Sequence, residues 1–231
     1  MRLASLAATA ALAAVAATAF TAPAEAGSNV AYFGLRGSII DTSSDNTTSG
    51  PIDYTVDYQD GFGVAGFLGW VLNDDFRLEV EAGFRDANLN SVLITRNDFD
   101  SLSDGHSYSV NGRAEGGAFM SNLYYDIHFL GDIGVLPWVG AGIGASYVDY
   151  AISSDINTLN GTTVLSAKNG AWAFAYQLMA GITVPLADGI SGSVGYRFFE
   201  TADFDYVDNF GVSFQTKLRQ QSIDVGLQFH I

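Results

Sequence analysis

Charged side chains recur at alternate positions of one short segment. In FRLEVEAGFR, residues 76–85, the charged residues Arg77, Glu79, Glu81 and Arg85 are separated by apolar or small residues. Alternate side chains of an extended strand point to opposite faces, so these four share one face. A buried charge without a partner costs several kcal/mol, so such a face must find counter-charges. The segment therefore predicts a strand with one apolar face and one ionic face.

Acidic residues gather in two polar segments, where carboxylates in the right spacing would bind a divalent cation. RNDFDSLSDGH carries Asp98, Asp100 and Asp104, but Leu102 stands where an EF-hand loop has a ligand and Gly105 comes too late. ETADFDYVDNFG carries four more carboxylates: Glu200, Asp203, Asp205 and Asp208. Solvated acidic loops are the favoured interpretation of both segments. No metal or cofactor site is predicted, and divalent cations bound at these loops remain a hypothesis.

The three histidines are the residues through which hydrolase chemistry would have to work. His106 lies beside Ser107 in a polar segment, whereas His128 and His230 lie near the ends of apolar segments. A Ser–His–acid site needs all three groups within hydrogen-bond reach, and nothing in this spacing brings them together. The chain has no cysteine, which excludes thiol catalysis. No catalytic residue is predicted, and a lipid hydrolase is the least favoured class.

The composition narrows the class of protein. The chain has 231 residues and a net charge of −15, so its surface repels phosphate and nucleic acid is not a predicted partner. Charged residues make up 15% of the chain, against about 25% in soluble domains. After the first 26 residues, no apolar run approaches the length of about 20 residues that a membrane-spanning helix needs.

The first 26 residues read as a secretory signal. Arg2 is followed by an apolar stretch and by Ala24-Glu25-Ala26, a small-x-small cleavage pattern. We expect residues 1–26 to be a signal peptide and residues 27–231 to be the exported domain.

The rest of the chain repeats the alternating pattern of the opening segment. Eight segments of about 10 to 13 residues alternate apolar with polar or small residues: 30–39, 61–72, 76–85, 117–129, 138–148, 172–184, 190–199 and 222–231. The gaps between them are alternately long and short. The long gaps, rich in Asp, Asn, Ser, Thr and Gly, are 40–60, 86–116, 149–171 and 200–221.

This spacing predicts an all-β protein, an eight-stranded antiparallel up-and-down transmembrane β-barrel with an apolar exterior and a polar interior. The alternative is a soluble barrel with the apolar face inside. Charges that share a face with Gly, Ala and Ser favour a crowded polar interior. The predicted luminal charge network is Arg36, Arg77, Glu79, Glu81, Arg85, Asp126, Arg197 and Asp224. The aromatic residues predicted at the membrane interface are Trp70, Phe76, Trp138, Trp172 and Phe229.

Several stretches resemble the small outer-membrane β-barrels of Gram-negative bacteria, porin-like surface proteins similar to the transmembrane domain of outer-membrane protein A. They are YFGLRGS, RLEVEAGFR, NLYYDI, WVGAGIGASY, WAFAYQLMAG and GYRFF, together with the alternating C-terminus. The resemblance implies a location in the outer membrane and assembly by the barrel-assembly machinery. Members usually end in an aromatic residue, whereas this chain ends Phe229-His230-Ile231.

An eight-stranded barrel is just wide enough for side chains to fill, so no wide pore is expected. The predicted function is that of a non-enzymatic membrane protein with a structural role in the envelope and surface contact through long acidic extracellular loops. Its partners would be outer-membrane lipid and lipopolysaccharide. The alternative is a narrow passive channel for ions or small solutes. The luminal charges suit either function, as interior filling or as a gated polar path.

Overall fold

The protein is almost entirely β-structure. The computed structural model describes residues 31–43, 45–49, 52–58, 60–97, 107–128, 134–158, 161–207 and 213–231. The predicted signal peptide, residues 1–26, lies outside these residues. Across the described part of the chain, no helix is long and apolar enough to cross a membrane.

Eight strands form the barrel. They are β1 (Ala31–Thr42), β4 (Gly61–Val71), β5 (Phe76–Asn97), β6 (Ser107–Asp126), β7 (Leu136–Thr158), β8 (Gly161–Ala187), β9 (Ile190–Thr201) and β12 (Arg219–His230). Two further hairpins lie outside it: β2 (Asp45–Ser49) with β3 (Ile52–Tyr58), and β10 (Phe204–Val207) with β11 (Ser213–Thr216).

Antiparallel pairing closes the eight strands into a ring. The order around the ring is β1-β4-β5-β6-β7-β8-β9-β12, and β12 pairs with β1 to complete it. Phe33 lies opposite Phe229 at this seam, and their rings stack with centroids 5.3 Å apart. In this ring β5 and β9 stand four strands apart in either direction, so they face each other across the lumen. The predicted eight-stranded antiparallel barrel is confirmed.

The barrel is apolar outside and polar inside, as predicted. Along β1 the odd-numbered side chains face outward, and Leu35 and Ile39 are 67% and 72% exposed. Inside, Glu79 is 0% and Arg197 is 2% exposed. An exterior of this kind needs lipid around it, because water would not tolerate a continuous apolar band of this size.

Short turns join the strands at one end, called here the turn end. Asn73 shapes the turn between β4 and β5, where its Oδ1 accepts hydrogen bonds from the backbone N–H groups of Asp75 and Phe76 at 3.0 and 2.8 Å. Asp188 and Gly189 connect β8 to β9, with Gly189 at a φ of 72° that favours glycine. The opposite end is called the hairpin end.

The hairpin end differs from the expectation of irregular loops. The predicted gap 86–116 is largely strand, because β5 continues to Asn97 and β6 begins at Ser107. The gap 149–171 is likewise strand, with β7 and β8 paired as far as Thr158 and Gly161. Beyond an apolar band a strand can be polar on both faces, so the period-2 signal fades while the backbone pairing continues.

Candidate functional site

A chain of ion pairs fills the middle of the lumen and begins near the turn end of β5. Arg77 donates to both carboxylate oxygens of Asp126 on β6, at 2.6 and 2.8 Å. Its Nη1 also lies 3.8 Å from Glu79. Glu79 in turn lies 3.2 Å from Nη2 of Arg36, which comes from β1. The first four members therefore connect three strands.

Glu81 continues the chain across the lumen. Its Oε2 accepts a short hydrogen bond from Arg36, and its Oε1 and Oε2 lie 2.5 and 3.1 Å from Nη1 and Nη2 of Arg197. Arg197 lies on β9, the strand opposite β5, and it also donates from Nε to Asp224 of β12 at 2.7 Å. One carboxylate thus links the two walls of the barrel.

Arg85 completes the set, called here the luminal network, without an ion pair to any described residue. Its guanidinium carbon lies 4.3 Å from the centroid of the Phe199 ring, a cation–π contact. Arg85 is buried, at 8% exposure, yet its Nη1 has no hydrogen-bond partner among the described residues. The network holds four arginines and four carboxylates, so its formal charge is zero. Arg85 contributes the fourth positive charge by its position near the carboxylates rather than by a direct ion pair with a described residue.

Neutral polar side chains make further hydrogen bonds with the charged groups of the ion pairs. The Tyr32 hydroxyl donates to Glu79 at 2.9 Å and accepts from Arg77 at 3.0 Å. Gln177 Oε1 accepts from Arg197 at 2.9 Å. The Ser222 hydroxyl donates to Asp224 at 2.8 Å. Buried charges stabilise a fold only when such hydrogen bonds offset their desolvation, and here neighbouring strands supply them.

Glycines make room for the rings that pack against the arginines. Phe67 lies beneath Arg36, with 4.5 Å from the guanidinium carbon to the ring centroid. A Cβ on Gly34 would stand 2.3 Å from Cζ of Phe67, and one on Gly69 would stand 2.2 Å from Cζ of Tyr32. These positions tolerate no larger residue while the rings keep their places, which explains why small residues share the luminal face with charges.

Apolar side chains occupy the lumen on both sides of the luminal network. Toward the hairpin end, four buried residues are between 0% and 5% exposed: Ile40, Val148, Phe199 and Leu218. Toward the turn end, Tyr124 packs edge-on against Trp138, with ring centroids 5.3 Å apart, and its hydroxyl lies 3.4 Å from Sδ of Met179. The lumen is therefore filled with side chains at three levels.

The five aromatic residues predicted at the membrane interface do not all face outward. Phe76 and Trp172 are 36% and 59% exposed, and Trp70 and Phe229 are partly exposed. Phe76 contacts Tyr125 at 5.2 Å between ring centroids, and Trp172 contacts Tyr147 at 5.4 Å.

The prediction for Trp138 is wrong. Trp138 is 7% exposed, lies inside the barrel and donates from Nε1 to Thr183 at 3.1 Å. Its position in the alternation is that of Gly140 and Gly142, and strand geometry sends all three to the lumen. The alternation therefore predicts the face of Trp138 correctly, whereas the preference of indole rings for the membrane interface does not. Phe67 and Tyr124, which were not predicted as site residues, follow the same parity rule.

Of the candidate cation ligands and histidines, the structure describes the side chains of Glu200, Asp203, His128 and His230. His128 lies at the turn end, 2.5 Å from the backbone oxygen of Asp74, and His230 lies 3.2 Å from the Ser191 hydroxyl. No group of three or more His, Asp or Glu residues placed to hold a metal ion occurs among the described residues. The side chains of Asp98, Asp100, Asp104, His106, Asp205 and Asp208 lie outside the described residues.

A closed ring of eight strands with an apolar exterior and an ionic lumen defines the class of outer-membrane β-barrels. Residues 11–224 match the profile of the surface antigen family, and the chain belongs to that family. The outer membrane protein OprG of Pseudomonas aeruginosa shares the fold, with a TM-score of 0.52 at 12% identity over 88% of this chain and 95% of that chain.

Several known proteins are similar to the chain in sequence. An uncharacterised protein of Brucella abortus strain 2308 is 30% identical over 162 residues, which cover 64% of this chain and 56% of the relative. An outer membrane protein of Gluconacetobacter diazotrophicus is 26% identical over 148 residues, which cover 63% of this chain and 37% of that protein. The chain thus spans about half the length of the Brucella relative.

Proposed function

We propose that this protein is a non-enzymatic structural component of the Gram-negative outer membrane whose lumen is sealed and whose hairpin end contacts the cell's surroundings. The observation that carries the proposal is the link from Glu81 to Arg197, which joins opposite walls of the barrel at 2.5 Å. A solute path would have to break these charge-assisted hydrogen bonds and displace the apolar side chains on either side.

The hairpin end supports the surface role. β7 and β8 remain paired up to Thr158 and Gly161, far beyond the apolar segments of the same strands. Paired strands that extend past the apolar band would project beyond the lipid, a position suited to contact rather than to transport. The description of the family as surface antigen agrees with a hairpin end that faces outward.

Planar-bilayer recording tests the sealed lumen. We expect no stepwise conductance from the refolded full-length protein, and steps from the double variant Glu81→Ala/Arg197→Ala, which removes the link across the lumen. Faster gel migration of the unboiled sample than of the boiled one verifies that each variant is folded. Reproducible steps from the wild-type protein would overturn the proposal in favour of the narrow channel.

Surface labelling tests the orientation, and it is simple because the chain has no cysteine. We expect a membrane-impermeant maleimide to label Thr158→Cys, at the end of β7, on intact cells. Asp74→Cys, in the exposed turn between β4 and β5, should react only after lysis. Labelling of Asp74→Cys alone on intact cells would show that the turn end faces outward.

A further inference from the structure

Two buried polar atoms on the hairpin side of the lumen have no hydrogen-bond partner among the described residues. They are Nη1 of Arg85 on β5 and Oε1 of Gln220 on β12. Arg85 is 8% exposed and Gln220 is 2% exposed, so bulk solvent does not reach either group. A buried polar group without a hydrogen bond destabilises a fold, so both atoms require a partner that protein side chains do not supply.

Both atoms belong to side chains that lie beside Phe199. The guanidinium carbon of Arg85 lies 4.3 Å from the centroid of the Phe199 ring. Gln220 is the residue directly opposite Phe199 in the pairing of β12 with β9, and side chains in that relation are close neighbours. Phe199 is itself 0% exposed. The two unpartnered groups therefore border the same part of the lumen.

The contacts that Arg85 and Gln220 do make leave these two atoms without a partner. The Phe199 ring attracts the charge of the guanidinium but offers no oxygen or nitrogen that could accept from Nη1. Nε2 of Gln220 donates to Oγ1 of Thr42 at 3.3 Å. Turning the Gln220 amide over would let its oxygen accept from the Thr42 hydroxyl, but Nε2 would then lack a partner instead. One end of the amide needs a ligand in either orientation.

We propose that Arg85 and Gln220 bind an ordered water molecule inside the barrel, which accepts a hydrogen bond from Arg85 Nη1 and makes a second one with the Gln220 amide. Water suits this pair because it both accepts and donates, and buried waters commonly bridge polar groups that the protein leaves without partners. The buried apolar side chains of Ile40, Val148 and Leu218 lie toward the hairpin end, and the ion pairs of the luminal network lie on the other side. The water is therefore enclosed.

The chemistry of the two groups favours water over a small anion such as chloride. An anion could accept from Arg85, but it would face the oxygen of Gln220, which is itself an acceptor. The luminal network already balances four arginines with four carboxylates, so a bound anion would add an uncompensated negative charge to it. A neutral ligand leaves that balance unchanged.

A crystal structure of the refolded full-length protein, grown in sodium bromide, tests the site. Bromide takes the place of chloride and is detected by its anomalous scattering, which water lacks. We expect electron density for a water within about 2.7 to 3.2 Å of both Arg85 Nη1 and the free end of the Gln220 amide, without an anomalous peak. An anomalous peak there would overturn the assignment in favour of an anion. Absence of density, or a direct hydrogen bond between Arg85 and Gln220, would overturn the site.

Two variants in the same crystals test the ligands. Gln220→Met keeps the length of the side chain but removes its polar groups, and we expect the density to be lost. Ser222→Ala, two residues along β12, removes a hydroxyl that donates to Asp224 and should leave the density unchanged. Density that persists in Gln220→Met would show that Gln220 does not hold the water.

Nuclear magnetic resonance of the protein in lipid nanodiscs tests the same water in a membrane. We expect a cross-peak between water and the side-chain amide of Gln220. It should persist in Thr42→Val, which removes the hydroxyl whose exchange with solvent would give a similar signal, and disappear in Arg85→Met, which removes the second ligand. Loss in Thr42→Val, or persistence in Arg85→Met, would overturn the bridge between Arg85 and Gln220. Neither outcome bears on the link from Glu81 to Arg197, which conductance tests separately.

Discussion

Glu81→Gln tests whether the luminal network stabilises the barrel. Glu81 is 3% exposed and accepts hydrogen bonds from Arg36 and Arg197, so its neutralisation leaves the network with four positive and three negative charges. Removal of one partner from a buried ion pair costs about 3 to 5 kcal/mol. Arg36 keeps Glu79 at 3.2 Å and Arg197 keeps Asp224 at 2.7 Å. We therefore expect the lower end of that range, about 3 kcal/mol.

The assay is equilibrium unfolding by guanidinium in detergent or lipid, with gel mobility as the measure of the folded fraction. Asp149→Asn, which changes one outward-facing charge, serves as the control and should stay within about 0.5 kcal/mol of the wild type. The double variant Glu81→Gln/Arg197→Gln restores a neutral lumen and should be more stable than Glu81→Gln alone, because the two side chains act as one unit.

Two results would refute this reasoning. The first is a Glu81→Gln variant as stable as the Asp149→Asn control, which would mean that the buried charges contribute no net stability. The second is a double variant whose loss equals the sum of the two single losses, which would mean that Glu81 and Arg197 are not coupled across the lumen.

Two further substitutions test the packing around the network. Gly69→Ala should lower the free energy of unfolding by about 1 to 3 kcal/mol, because the added Cβ would lie 2.2 Å from a Tyr32 ring that two hydrogen bonds hold in place. Gly37→Ala is the matched control, since nothing lies within 4 Å of its new Cβ. Equal stability of the two variants would contradict the explanation. Trp138→Phe removes the donor to Thr183 and should cost about 1 to 3 kcal/mol in the same unfolding assay; a loss below about 0.5 kcal/mol would show that this hydrogen bond does not stabilise the lumen.

The alternating segments predicted the barrel because lipid on one side and a crowded lumen on the other impose a strict period of two. The same parity carried the charges of β5 to the lumen, where Arg77, Glu79, Glu81 and Arg85 are all buried. The partners of each charge did not follow from the sequence. The pairing of Glu81 with Arg197 depends on which strands face each other, and 116 residues separate the two.

The misplaced residue and the missed strands have separate causes. Trp138 was assigned to the membrane interface because tryptophan is enriched there. Its place in the alternation with Gly140 and Gly142 predicts the luminal face instead. The extensions of β5 to Asn97 and of β8 back to Gly161 were missed because no apolar face marks a strand outside lipid. Glycines opposite large rings, such as Gly69 opposite Tyr32, are the signal that a luminal ring needs space.

The position of Glu81 and Arg197 on facing strands has a consequence for assembly. Before β12 pairs with β1 the growing sheet is open, so Arg197 on β9 has Asp224 from the neighbouring β12 but lacks Glu81, which lies on β5 across the lumen. Contacts between residues so distant in sequence form late, because the ordering of the intervening chain must come first. An open sheet is therefore less stable, because some of these charges still lack their partners. Formation of the seam completes the salt-bridge chain, so the two events form a single cooperative step.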